Sequence, residues 1–86
     1  IAAAVQTPVD FAYIDGDHTF DAVAADIRKW TEVLTRDGVL ILDDYGVEGW
    51  WEDGVTRATQ AAIRAETHRL LHVEANNAVI QPVRRR

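Results

Sequence analysis

Asp10-Phe11-Ala12-Tyr13-Ile14-Asp15-Gly16-Asp17-His18 decides how the chain is read. An apolar run, Val9 to Ile14, is broken only by Asp10, and it reads as a short buried strand. Asp15, Asp17 and His18 follow within four residues, with Gly16 allowing a sharp turn between them. A second segment repeats the design: Gly38-Val39-Leu40-Ile41-Leu42 is apolar and ends in Asp43-Asp44. If the two strands are parallel neighbours, several carboxylates meet where open α/β sheets bind their ligands, at the carboxyl ends of strands.

Working outward, Thr19 or Asp17 can cap a helix beginning near Phe20. Phe20, Val23, Ala24, Ile27, Trp30 and Leu34 recur every three or four residues, one face of that helix. Asp37-Gly38 is a stop signal, and strand two then runs from Val39 to Leu42. Its unbroken apolar character suits burial on both faces. Asp44 to Gly54 reads as a loop holding Tyr45, Trp50 and Trp51. A second helix is predicted from Gly54 to Thr67, with Val55, Ala58, Ala62 and Ile63 facing inward. Leu70 to Val73 reads as strand three, Asn76-Asn77 as a turn, and Ala78 to Gln81 as strand four before Pro82. So short a connection implies an antiparallel hairpin. Residues 1–8 read as the end of a helix or a loop.

The predicted order is βαβαββ, with a right-handed crossover between the first two strands. That is an α/β fold, the C-terminal half of a doubly wound, Rossmann-like sheet. No G-x-G-x-x-G or G-x-x-x-x-G-K-[ST] occurs, so the usual cradle for a nucleotide-type cofactor is missing.

Composition narrows the function. The 86 residues suffice for one small domain, and 48% hydrophobic content excludes a disordered chain. A net charge of −5 argues against a general nucleic-acid binder, and Arg84-Arg85-Arg86 reads as a solvated tail. No apolar run approaches the ~20 residues of a membrane span. Ile1 to Val5 lacks the basic flank and longer apolar core of a signal peptide. Cysteine is absent, which fits a reducing, cytoplasmic setting. Methionine is absent too, even at position 1, which reads as a piece of something longer.

The strings Tyr13-Ile14-Asp15-Gly16-Asp17-His18 and Gly38-Val39-Leu40-Ile41-Leu42-Asp43-Asp44-Tyr45, with Asp26-Ile27 and Trp30 between them, resemble class I S-adenosylmethionine-dependent methyltransferases. Within these the chain is most similar to the metal-dependent group of macrocin O-methyltransferases. The resemblance implies that residues 1–86 are one partial domain, strands four to seven of a sheet ordered 3-2-1-4-5-7-6. The glycine-rich cofactor half has no counterpart. It further implies metal ligands at Asp15, Asp43 and Asp44, since the spacing of 28 (43 minus 15) is that of the family. The family's base falls at Asp17 or His18.

The implied cofactors are S-adenosyl-L-methionine and Mg²⁺ or another divalent cation. The implied partner is a small-molecule or sugar hydroxyl acceptor. Mg²⁺ prefers hard oxygen ligands, and a chelated hydroxyl loses its proton more readily. Without a cation the three carboxylates repel one another, and at least one pKa should rise.

Several readings stay open at this level. Asp17 serves equally as a helix cap, and Asp43-Asp44 could simply cap a loop. Tyr45, Trp50 and Trp51 could line an acceptor pocket, or the tryptophans could pack beneath their loop. His68 and His72 fall in or beside a peripheral strand and read as structural, and Trp30 as core. A receiver-like, metal-binding phosphotransfer domain also gathers aspartates at strand ends, and a non-catalytic fragment that folds by self-association is a third class. The chain alone is expected to be inactive, and to form a homo-oligomer through the open edge of strand one.

Overall fold

The computed structural model describes residues 8–47 and 53–84. Their elements are β1 (Val9–Ile14), α1 (Phe20–Thr31), β2 (Leu34–Leu42), α2 (Gly54–Arg64), β3 (His68–Glu74) and β4 (Asn77–Pro82). They form one four-stranded sheet in the order β1-β2-β4-β3. β1 and β2 are parallel, whereas β4 runs antiparallel to both β2 and β3. No helix among the described residues is long and apolar enough to cross a membrane.

Alternation along the strands places the core. Leu40 and Leu42 of β2 and Ala78 and Ile80 of β4 are fully buried, and Val23, Ile27, Val55 and Ala58 of the two helices pack on them. Trp30 packs against this cluster from its edge, in keeping with a core residue. Both helices therefore lie on one face of the sheet. Among the described residues the opposite face is uncovered at β1, with Phe11 61% and Tyr13 52% exposed. This corrects the reading of β1 as a buried strand: only Ile14 is buried there. An apolar run alone does not say how many faces are covered, and the two helices available cover one.

Three boundaries also move. The first helix stops at Thr31, not at Asp37-Gly38, and Leu34 is a strand residue. The chain turns back because Val33 N–H bonds the Trp30 carbonyl while the Val33 carbonyl accepts Val9 N–H. Asp37 and Gly38 instead sit within an irregular stretch of β2. Between the pairs Val9↔Leu34 and Phe11↔Val39, β2 spends five residues where β1 spends two. Thr35 ties that stretch to β1 by donating to Asp10 Oδ1 at 3.0 Å. Gly38 fits because a Cβ would press on Leu34 and the Asp10 carbonyl at 3.0–3.1 Å.

The second helix ends at Arg64, three residues before Thr67. Thr67 N–H reaches the Ala62 carbonyl and Glu66 N–H the Ile63 carbonyl, with Glu66 at φ 63. That is a Schellman stop with glutamate where glycine is usual, so the sequence signal was missing. The hairpin turn is Ala75-Asn76 rather than Asn76-Asn77, since Glu74 pairs with Asn77. A tertiary tie selects this register: Tyr45 N–H donates to the Asn76 carbonyl at 2.8 Å. β3 and β4 accordingly extend beyond the predicted Leu70 to Val73 and Ala78 to Gln81.

Candidate functional site

β1 and β2 run in parallel register to their last residues, Ile14 opposite Leu42. The ladder continues one step further, with Asp43 N–H on the Ile14 carbonyl at 3.1 Å. That register explains why 28 residues separate Asp15 from Asp43: both are the first residue past their strand. Asp44 then adopts φ 64, a left-handed turn tolerated best by Gly, Asn and Asp.

One ligand atom each from Asp15, His18 and Asp44 lie within 4.8 Å of one another. Asp43 is not one of this group, but its carboxylate acts on both Asp15 and the Tyr13 hydroxyl. Tyr13 also donates to Asn77 Oδ1 at 3.3 Å, which ties the site to the start of β4. The Asp15 carboxyl is held above its ordinary range by partial desolvation, then by the hydrogen bond and charge of Asp43 and by Asp44, with His18 opposing. The Tyr13 hydroxyl is raised by desolvation and by the same three carboxylates.

His18 is fixed at both nitrogens. Nδ1 lies 2.7 Å from the Gly16 carbonyl oxygen, and Nε2 lies 2.6 Å from Asp44 Oδ2. A carbonyl and a carboxylate both accept, so this setting favours the doubly protonated ring, an imidazolium paired with Asp44. Its pKa is raised by the Asp44 hydrogen bond first, against desolvation, and further by the Gly16 bond and the charges of Asp44 and Asp15. Gly16 contributes its carbonyl; its φ is not positive, so the turn there does not require glycine.

Asp17 is engaged locally. Its Oδ1 accepts Thr19 N–H at 2.9 Å, and Thr19 caps α1 by accepting Ala22 N–H. Tyr45 packs against the hydrophobic core, half-buried. Trp50 and Trp51 lie outside the described residues. Sequence reasoning missed Gly54, whose backbone sits directly on the His18–Phe20 backbone. The available signal was a glycine at a helix start, where a side-chain cap is usual.

His68 differs from His18. It is 6% exposed, with Nε2 2.9 Å from the Thr31 hydroxyl and Nδ1 2.9 Å from the Thr67 hydroxyl. Thr31 donates to the Ile27 carbonyl, so its oxygen accepts from Nε2–H, while the Thr67 hydroxyl beside Nδ1 also reaches the Ala62 carbonyl at 3.1 Å. Burial, and then the Arg84 charge, push its pKa below 6.5. In a proton NMR titration His18 should therefore titrate above 6.5 and His68 below it. For stability, the unfolded chain binds a proton at His68 before the folded chain does. The His68 contribution is thus complete above pH 6.5 and is shed as pH falls below it. Equal midpoints for the two rings would contradict both environments.

Carboxylates and a histidine gather at the carboxyl ends of adjacent parallel strands, where open α/β sheets bind their ligands. Residues 1–45 match the family described as a methyltransferase domain, and the chain belongs to that family. No curated protein matches the chain.

Proposed function

We propose that the chain carries the acceptor side of an S-adenosylmethionine-dependent O-methyltransferase that works with a divalent cation. Its acceptor would be a hydroxyl of a small molecule or sugar, as in the macrocin O-methyltransferase group. The convergence of Asp15, His18 and Asp44 at the ends of two parallel strands carries this reading. The match to a methyltransferase domain favours it over a phosphotransfer domain.

The donor set fits a hard cation. Asp15 and Asp44, with Asp43 adjacent, offer carboxylate oxygens, and the raised Asp15 pKa marks crowded negative charge that a cation would relieve. A cation held there would lower the pKa of an acceptor hydroxyl and fix its oxygen. The protein's own part is proton handling. The Gly16 carbonyl orients the His18 ring, and Asp44 holds the Nε2 proton. Above the His18 pKa that proton is released to solvent, and the neutral Nε2 can then accept the acceptor's hydroxyl proton. Asp17, committed to the Thr19 amide, is less suited to this task. Tyr45 supplies a half-buried wall beside Asp44.

Separate calorimetric titrations test the reading. Mg²⁺ or Mn²⁺ should bind this chain, whereas S-adenosylmethionine should bind weakly, because no glycine-rich loop is present to hold it. Donor binding without cation binding would reverse the assignment.

β1 pairs with a strand on one side only among the described residues, next to exposed Phe11 and Tyr13. An open edge beside an apolar face is a template for a second chain. Light scattering coupled to size exclusion should read a mass above one chain; a well-behaved monomer would refute association.

A further inference from the structure

At the opposite end of β2 from the acidic cluster, Arg36, Arg69 and Arg84 surround a groove of about 220 Å³, with Gln81 in its wall and Asp37 on its rim. We propose that this groove is a binding site for a phosphate group. The proposal is independent of the cation site and of the methyl-transfer reading.

The wall is organised by one amide. Gln81 Nε2–H donates to the Asp37 carbonyl at 3.0 Å. Its Oε1 accepts from Arg69 Nε and Nη2, at 3.3 and 2.7 Å. One edge of the Arg69 guanidinium is thereby pinned by a neutral acceptor. The Nη1 edge keeps its donors, and the full charge is not neutralised. Register places Arg69 opposite Gln81 in the β3–β4 pair, so strand pairing fixes the geometry. The irregular stretch of β2 brings Arg36 and Asp37 to the same end.

The groove gathers three arginines in a chain of net negative charge. The protein carries 14 acidic residues and a net charge of −5, so an arginine surrounded by carboxylates would be the ordinary case. None of the three groove arginines is held by a carboxylate ion pair among the described residues. Three guanidinium charges meet one rim carboxylate, a surplus that suits a dianion. Guanidinium forks match phosphate oxygens in geometry and form strong, charge-assisted hydrogen bonds. The volume is below the 300–1,000 Å³ usual for drug-sized ligands, which suits a phosphate head with the rest of its carrier outside.

The test is an amide NMR titration with inorganic phosphate and, separately, a hexose phosphate, with ionic strength held constant by sodium chloride. Saturable shifts are expected at Asp37, Gln81 and Val83. Arg36→Gln and Arg69→Gln should each weaken binding roughly tenfold, while Arg64→Gln in the last turn of α2 should leave it unchanged. Tighter binding of the hexose phosphate would assign an organic carrier, and equal binding free phosphate; both support the site. Gln81→Glu would place a carboxylate on Arg69 and should abolish the shifts, giving a second test if an arginine variant fails to fold. Identical shifts with chloride alone, or equal weakening by Arg64→Gln, would overturn the proposal. So would an oligonucleotide that binds without competition from phosphate.

Discussion

Gly54→Ala is expected to destabilise the fold by about 3 kcal/mol or more, at the upper end of what overpacking costs. A Cβ on Gly54 would lie 2.0 Å from the His18 carbonyl oxygen, 2.7 Å from Phe20 N and 2.8 Å from Thr19 C. All three are backbone atoms, so no side chain can swing aside. Either α2 moves away or the segment leading into α1 does. If α2 moves, Val55 and Ala58 withdraw from the Leu40–Leu42–Ile80 core. If the segment moves, His18 leaves its place between the Gly16 carbonyl and Asp44. The lesion therefore reaches both stability and the site. Gly16→Ala is the matched control, since its nearest neighbour would be Asp26 Oδ2 at 3.7 Å and its φ is ordinary. Urea unfolding should separate the two variants clearly; a Gly54→Ala midpoint equal to wild type would disprove the close approach.

Asp44→Asn is expected to weaken divalent-cation binding by about 100-fold and to lower the His18 pKa toward its ordinary value. One substitution does both because Asp44 belongs to the cation group and is also the largest cause of the raised His18 pKa. The asparagine keeps the shape but removes the charge, so the fold should survive. If, as proposed, neutral His18 is the proton acceptor of a complete enzyme, turnover should rise with pH through a value above 6.5 and plateau beyond it. In Asp44→Asn that rise should move to lower pH. Calorimetry gives the first effect and a proton NMR titration the second. Unchanged affinity would remove Asp44 from the site, and an unchanged His18 midpoint would deny their coupling.

Much of this site was legible because it depends on position along two strands. Apolar runs ending in Asp15 and in Asp43-Asp44 locate the strand ends, and parallel pairing of Ile14 with Leu42 brings them together. The pairing of His18 with Asp44 was not legible, because it depends on the left-handed turn at Asp44 and on which way the His18 ring points. The same holds for Asp43, whose charge acts on Asp15 and Tyr13 although it is adjacent to Asp44 in sequence. In the fold, periodicity found both helices but misplaced their ends. Leu34 continues the apolar spacing of α1 yet belongs to β2, and Glu66 occupies a left-handed stop without the glycine that would announce it. The open sheet face was hidden for a related reason: Phe11 and Tyr13 are as apolar as core residues, and only the placement of both helices shows them uncovered.

Paramagnetic Mn²⁺ tests the central claim most directly, because it reports where a cation sits. In an amide NMR spectrum of the intact chain, substoichiometric Mn²⁺ should first broaden the signals of residues 15–18 and 43–46, and excess Mg²⁺ should restore them. Signals of Asp37, Gln81 and Val83, at the far end of the sheet, should persist. Broadening that begins elsewhere, or that is spread evenly over the acidic surface, would contradict a cation site at the ends of β1 and β2.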